Sequence, residues 1–128
     1  TVTMSQDILS DTLKQIMNAK RARHSSVTVQ KHSKFLLSVL ALTKLRGYIE
    51  DYRVDGRTLT ISLGTKLNAC KAIKPRFVVS TKEIMKYARR YLPARDMGVL
   101  ILSTSQGLMT HHAALEKNIG GSLIAYVY

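Results

Sequence analysis

The hydrophobic positions of the first half predict a helix, a strand and a second helix. Between residues 8 and 17 they recur every three or four positions, which is the spacing of a helix with one buried face, and Ser5 is its expected N-cap. Residues 26–30 alternate as in a strand. The second helix follows Ser33 as its expected cap, and apolar residues between Phe35 and Leu45 nearly encircle it. Such a helix is expected to be covered on more than one side.

A hairpin closes this first half. Gly47 is a plausible stop for the second helix, and the alternating runs Tyr48–Val54 and Arg57–Leu63 follow it. Asp55-Gly56 between them is a strong signal for a two-residue turn with positive φ at both positions. The first half is therefore predicted as α-β-α-β-β, with a lobe boundary between residues 64 and 65.

The second half is predicted to alternate strands and helices. A basic segment with little periodicity spans Lys66 to Arg76, and Phe77–Val79 forms a short strand. Ser80 or Thr81 caps a helix that runs to about Leu92.

A run of apolar β-formers begins at Val99 and ends in Ser103-Thr104-Ser105-x-Gly107. Thr110 caps a short helix through Lys117, which ends near Gly120-Gly121, and residues 122–128 form a last strand. The predicted fold class is α+β, with an N-terminal lobe of residues 1–64 and a C-terminal lobe of residues 65–128 that has mixed β-α order and a core sheet.

The charge of the chain indicates a binding function for this predicted fold. The chain has 128 residues, 20 Lys and Arg against 8 Asp and Glu, a net charge of +12 and 45% hydrophobic content. A folded core with such a basic excess indicates a polyanionic partner, either nucleic acid or an anionic membrane. There is no Trp, and no apolar run is long enough to span a bilayer. A single cysteine, Cys70, suits a reducing cytoplasm. Nucleic acid without a membrane is the better interpretation.

The segment Ser103–Gly107 is the candidate binding element. Its three hydroxyls can donate to and accept from phosphate, ribose and base edges without adding charge or much bulk. Gly107 allows a sharp turn or a close approach to another molecule. The plainer interpretation is an ordinary turn whose hydroxyls satisfy nearby backbone groups.

Enzyme and metal chemistry find little support in the spacing of residues. The pair His111-His112 points in two directions on a helix, and no HExxH or CxxC accompanies it. Ser105, His111 and Asp96 are residue types found in catalytic triads, but nothing in their spacing requires a triad, and the G-x-S-x-G elbow is absent. We expect no enzymatic activity, no cofactor and no metal. A small acyl- or phosphoryl-transfer enzyme that uses the 103–107 loop, and a structural adaptor that binds only proteins, stay open as alternatives.

Two groups of basic residues are candidates for additional phosphate contacts. Helix spacing places Lys82, Lys86 and Arg89 on one stripe, which is equally well explained as a solvated face. The segment around Pro75 contributes four further cations without an acid between them: Lys66, Lys71, Lys74 and Arg76.

The string Ser103–Thr110, with Gly120-Gly121 eleven residues after Met109, resembles the small-subunit ribosomal protein family numbered eight. The order of elements matches that family over the whole chain, and Ser33-Lys34 resembles the start of its second helix. The stretches Leu67–Phe77 and Arg90–Asp96 resemble its archaeal and eukaryotic branch, and the Tyr126-Val127-Tyr128 ending looks more archaeal.

The resemblance implies a two-lobed fold that binds the central domain of small-subunit rRNA and helps to organise the platform. It also implies a cytoplasmic protein, monomeric within the ribosome, with other small-subunit proteins as neighbours. RNA contacts carried over by motif are Ser33, Lys34, Ser103, Thr104, Ser105, Gly107, Gly120 and Gly121. Many bacterial members have an acidic residue after the paired glycines. Ser122 stands there in this chain, without a carboxylate.

Overall fold

The computed structural model describes residues 2–30, 32–73, 77–93 and 97–128, with side chains from residue 8 onward. It divides into two compact units, Thr1–Cys70 and Lys71–Tyr128. The lobe boundary between residues 64 and 65 stays a prediction. No helix among the described residues has the length and apolar character needed to cross a membrane.

The elements of the first unit follow the predicted order α-β-α-β-β. In chain order they are α1 (Val2–Arg21), β1 (Ser26–Val29), α2 (Lys34–Leu45), β2 (Ile49–Asp55) and β3 (Thr58–Leu63). The strands form an antiparallel sheet in the order β1-β3-β2. Helix α1 packs on β1 and α2, and α2 packs on β2. The predicted apolar face of α1 is buried at Leu9, Leu13 and Ile16.

Three details of the first unit differ from the sequence prediction. Helix α1 begins at Val2, so Ser5 is not its N-cap, because the preceding residues include no Pro or Gly that would stop the helix. Helix α2 buries one face, and Leu45 at its end is 82% exposed. The hairpin turn lies one residue later than expected. Asp55 pairs with Thr58, and within this turn only Gly56 has a positive φ, +64°.

The second unit is built around one sheet. Its elements are β4 (Cys70–Ala72, of which Lys71 and Ala72 belong to this unit), β5 (Val78–Val79), α3 (Thr81–Tyr91), β6 (Val99–Thr104), β7 (Gly107–Thr110), α4 (His111–Lys117) and β8 (Gly121–Val127). The sheet has the order β4-β8-β6-β7, and β5 also pairs with β8. Its core includes Ile84 of α3, Leu100 and Leu102 of β6, and Leu123 of β8, all fully buried. The mixed α+β fold class is confirmed.

Candidate nucleic-acid interface

The hydroxyl-rich segment is the tight turn of a β-hairpin. Thr104 at the end of β6 pairs with Gly107 at the start of β7, so Ser105-Gln106 forms a two-residue turn. The sequence predicts a loop here that leads directly into a helix, and strand β7 corrects that prediction. Gly107 has φ +107°, and a Cβ built on it would meet nothing within 4 Å. The turn therefore requires glycine for its backbone conformation and leaves open space around it.

The hydroxyl of Thr104 holds this turn in shape. Its Oγ1 donates to the Gly107 carbonyl oxygen at 2.8 Å and accepts from the Gln106 N–H at 3.1 Å. A hydroxyl has one proton and two lone pairs, so one lone pair is left for a further partner. The plainer interpretation from the sequence, a turn satisfied by its own hydroxyl, therefore describes Thr104 well.

Ser105 and Ser103 are placed differently from Thr104. Ser105 lies exposed at the tip of the turn, and no partner of its hydroxyl is found among the described residues. Ser103 is half-buried on β6, opposite Leu108 of β7 and Ser122 of β8. Ser105 is thus the hydroxyl of this segment that is most accessible to a ligand.

The two adjacent glycines lie where strands approach too closely for a side chain. A Cβ on Gly121 would lie 2.5 Å from the Ser103 carbonyl oxygen and 2.9 Å from Cγ2 of Thr104. A Cβ on Gly120 would meet the Val79 carbonyl oxygen of β5. The fold therefore brings Gly121 directly beside the hydroxyl-rich segment, and packing alone is sufficient to require both glycines.

These glycines do not end helix α4, contrary to the sequence prediction. The helix stops at Asn118, which has the left-handed conformation with φ +55°. Asparagine tolerates this conformation better than most residues, which is why it can replace glycine at a helix end. The predicted start of α4 is confirmed, since the Thr110 hydroxyl accepts from the Ala113 N–H at 3.3 Å.

In the first unit, Ser33 and Lys34 form the start of α2. The Ser33 hydroxyl accepts from the Leu36 N–H at 3.2 Å, as predicted for an N-cap. Lys34 is exposed in the first turn of the helix. Ser33 thus has a structural role, and the ammonium of Lys34 faces solvent.

Helix α3 carries the predicted basic stripe on an exposed face. Lys82, Lys86 and Arg89 are all exposed. Glu83 lies in the same helix and caps its start, because its carboxylate accepts from the Ser80 N–H at 3.1 Å and from the Ser80 hydroxyl at 3.0 Å. These hydrogen bonds hold the pKa of Glu83 below its ordinary value. Helix α3 therefore carries a cationic stripe and, in its first turn, one persistent negative charge.

The other candidate cations divide into described and undescribed positions. Lys66 is engaged inside the first unit, where its Nζ donates to the Arg46 carbonyl oxygen at 3.2 Å and lies 4.9 Å from the Tyr48 ring centroid. Lys71 is exposed on β4, a short strand within the segment that is predicted to have little periodicity. Two further candidates, Lys74 and Arg76, lie outside the described residues.

The histidine pair has a structural explanation. His111 is 2% exposed, and its Nδ1 accepts from the Leu100 N–H at 3.0 Å, so this nitrogen carries no proton. The two histidine rings lie with their centroids 4.0 Å apart, so the prediction that the pair points in two directions is wrong. No group of three or more metal-ligating side chains occurs in the part of the chain that the structure describes. Asp96, the third residue of the hypothetical catalytic triad, lies outside the described residues.

Comparisons with known proteins agree with the resemblance noted in the sequence. The family model for Ribosomal protein S8 matches residues 7–128. The chain is 43% identical to the small ribosomal subunit protein uS8 of Nanoarchaeum equitans, over 98% of this chain and 100% of that protein. It is 41% identical to the uS8 protein of Halorubrum lacusprofundi, over 95% of this chain and 97% of that protein.

Proposed function

Since the chain belongs to the ribosomal protein S8 family, we propose that the β6–β7 turn recognises the central domain of small-subunit rRNA. Membership makes the protein a structural constituent of the small ribosomal subunit that binds rRNA. Its relatives are ribosomal structural proteins. They give no support to the serine-dependent enzyme or to the adaptor that binds only proteins.

The observation that carries this proposal is that Thr104 and Ser105 have different roles in the turn. Thr104 fixes the backbone by two hydrogen bonds, and Ser105 is left exposed at the tip. A rigid, uncharged and narrow protrusion can approach the wide and shallow minor groove of folded RNA. There the Ser105 hydroxyl can form a hydrogen bond with a 2′-hydroxyl or a base edge. Cations that bind phosphates do not read these groups, so they cannot distinguish one RNA site from another.

Surrounding charge supports orientation on the RNA. The described residues of the second unit carry more cations than acids, and Lys82, Lys86 and Arg89 stand exposed on one helix. Lysine and arginine neutralise phosphates without reading sequence, so these side chains position the protein and the turn provides specificity. Gly120 and Gly121 serve the interface by allowing β8 to approach its neighbouring strands closely. Ser33 and Lys34 are proposed contacts of the first unit.

The wider assignment follows from the same family. We place the protein in the cytoplasm as a single copy within each small subunit, beside other small-subunit proteins, where it helps to organise the platform. Footprinting of the rRNA with and without the protein tests this placement. Protection that is concentrated in the central domain is expected, and protection spread evenly over all domains would contradict it.

The decisive variant is Ser105→Ala, assayed by titration against a central-domain transcript and against a transcript of another rRNA domain. One lost hydrogen bond corresponds to ~0.5–1.5 kcal/mol, or roughly a two- to twelvefold loss of affinity for the cognate transcript. Binding to the second transcript and the salt dependence should stay unchanged, because no charge is removed.

Thr28→Val is the matched control, since it removes an exposed hydroxyl from β1 in the first unit. It should bind both transcripts like the parent. Equal affinity of parent and Ser105→Ala for the central-domain transcript, with both proteins folded, would show that the turn is only structural. Gly107→Val is a weaker test, because its positive φ penalises any side chain and lowers stability.

A further inference from the structure

The end of helix α1 forms a second exposed basic surface, which lies in the first unit. The segment Lys20–His24 contains four basic side chains, Lys20, Arg21, Arg23 and His24, with no acid among them. Arg21, Arg23 and His24 are exposed, and Lys20 is partly exposed. We call this segment the basic turn.

The backbone of the basic turn is fixed by hydrogen bonds at both ends. The Arg23 N–H donates to the Lys20 carbonyl oxygen at 3.0 Å, and the His24 N–H donates to the Ala19 carbonyl oxygen at 2.9 Å. This is the hydrogen-bond pattern of a Schellman helix end. The carbonyl oxygen of the next residue, Ser25, accepts from the Leu63 N–H of β3 at 2.8 Å, which ties the turn to the sheet. The basic side chains are therefore presented from a fixed backbone.

Arg23 occupies a position that favours glycine. Its φ is +64°, in the left-handed region that costs most side chains free energy. Helix α2 ends with the same pattern, in which the Gly47 N–H donates to the Lys44 carbonyl oxygen at 3.0 Å and the Tyr48 N–H donates to the Thr43 carbonyl oxygen at 3.0 Å. There the left-handed residue is a glycine, with φ +85°.

Other positive-φ positions follow the expected preference. Among the described residues, these are asparagine at position 118 and glycine at positions 47, 56, 98 and 107, so only Arg23 departs from it. Non-glycine residues held in this region cluster at functional sites, so the left-handed Arg23 is the basis of a hypothesis of function. A helix end prefers basic residues because of its dipole, but Lys20 and Arg21 already meet that preference in the last turn. Arg23 lies two residues beyond the end of the helix.

We propose that the basic turn is a second RNA-binding site, at which Arg23 contacts the phosphate backbone of small-subunit rRNA. This site rests on the proposed function and adds to the β6–β7 turn. Its guanidinium can bind a phosphate by two parallel hydrogen bonds, and Arg21 and His24 flank it. No salt bridge involves these side chains among the described residues.

The test is Arg23→Gly in the full chain, with two measurements that are expected to move in opposite directions. Thermal stability should rise by about 2–5 °C, since glycine removes the left-handed strain. Affinity for protein-free small-subunit rRNA should fall roughly three- to tenfold at low salt, and the slope of affinity against salt should decrease by about one. A merely structural Arg23 would give the gain in stability with unchanged RNA binding.

Three further variants isolate the cause. Arg23→Lys keeps the charge and the strain, so it should retain most of the affinity. Lys14→Gln removes an exposed charge elsewhere on α1 and should bind like the parent. The double variant Arg21→Gln with His24→Gln leaves residue 23 intact and should also lose affinity, which keeps the test valid if Arg23→Gly proves unstable.

Two outcomes would overturn the proposal. One is unchanged affinity and salt slope in Arg23→Gly and in the double variant. The other is an equal loss in Lys14→Gln, which would show diffuse charge without a site. Because whole rRNA is the probe, this experiment does not depend on central-domain preference. Loss of binding in Ser105→Ala with none in Arg23→Gly would leave the proposed function intact and reject only this second site.

Discussion

Thr104→Val is expected to loosen the β6–β7 turn without disturbing the strand. Valine has nearly the shape of threonine and the same branching at Cβ, so the preference of residue 104 for β6 is retained. What disappears is the hydroxyl, with its hydrogen bonds to the Gly107 carbonyl oxygen at 2.8 Å and from the Gln106 N–H at 3.1 Å. The variant therefore removes the side-chain contacts that close the turn.

The expected magnitude follows from those two hydrogen bonds. Each contributes ~0.5–1.5 kcal/mol net, and a partner left buried would cost more. Gln106 and Gly107 are exposed, so water replaces the lost partner and the lower part of that range applies. We expect the free energy of unfolding to fall by about 1–2 kcal/mol. In a unit of this size, each kcal/mol lowers the Tm by roughly 4–8 °C.

Urea unfolding and thermal melting of the parent and the variant measure this loss. Thr104→Ser keeps the hydroxyl and should recover most of the stability. Thr28→Val, which removes an exposed hydroxyl on β1, should change stability by less than ~0.5 kcal/mol. Equal stability of Thr104→Val and the parent would refute the argument that this hydroxyl holds the turn. It would also return Thr104 to the set of side chains that are free to bind RNA.

Three further predictions use the same structure. Burial raises the pKa of the Cys70 thiol to about 12, so Ellman's reagent at pH 8 should label it only on unfolding, and rapid labelling of folded protein would contradict this. Because the pKa of Glu83 is lowered in the folded protein, the hydrogen bond between its carboxylate and the Ser80 N–H stabilises the fold fully at pH values above the ordinary carboxyl pKa. This stabilisation is lost as pH falls through the lower pKa of the folded state. The advantage in Tm over Glu83→Gln should therefore shrink below about pH 4.5, and a pH-independent difference would exclude this cap. Gly121→Ala should lower stability by about 1–3 kcal/mol in urea unfolding, because its Cβ would lie 2.5 Å from the Ser103 carbonyl oxygen, and a neutral effect would show that the strands separate easily.

Elements with long or capped patterns could be predicted from the sequence. Helix α1 shows its buried face by periodicity, and α2, α3 and α4 each begin at a predicted cap residue: Ser33, Ser80 or Thr110. These signals are local, since a cap hydroxyl bonds to a backbone N–H within the first turn. Strands β4 and β7 were missed because three or four residues are too few for a clear alternation.

Two other predictions are wrong at positions where two local backbone conformations are nearly equally favourable. Asp55-Gly56 was predicted as the hairpin turn, and Gly56-Arg57 forms it, because a turn that begins with glycine satisfies the same strand twist. Asn118 ends α4 ahead of the glycines, since both residue types accept positive φ. Such choices depend on strand register and packing, which no single short stretch specifies.

The candidate site shows most clearly why tertiary contacts are needed. Ser103, Thr104 and Ser105 carry the same chemical group, and the sequence predicts one role for all three. On the pleated strand and its turn, one is half-buried, one closes the hairpin and one is exposed. The β-branched threonine stands at the last strand position, and the smaller serine stands in the turn, as the preferences of each residue favour. A recognition hydroxyl needs a fixed backbone beneath it, so the specificity proposed for Ser105 depends on the hydrogen bonds made by Thr104.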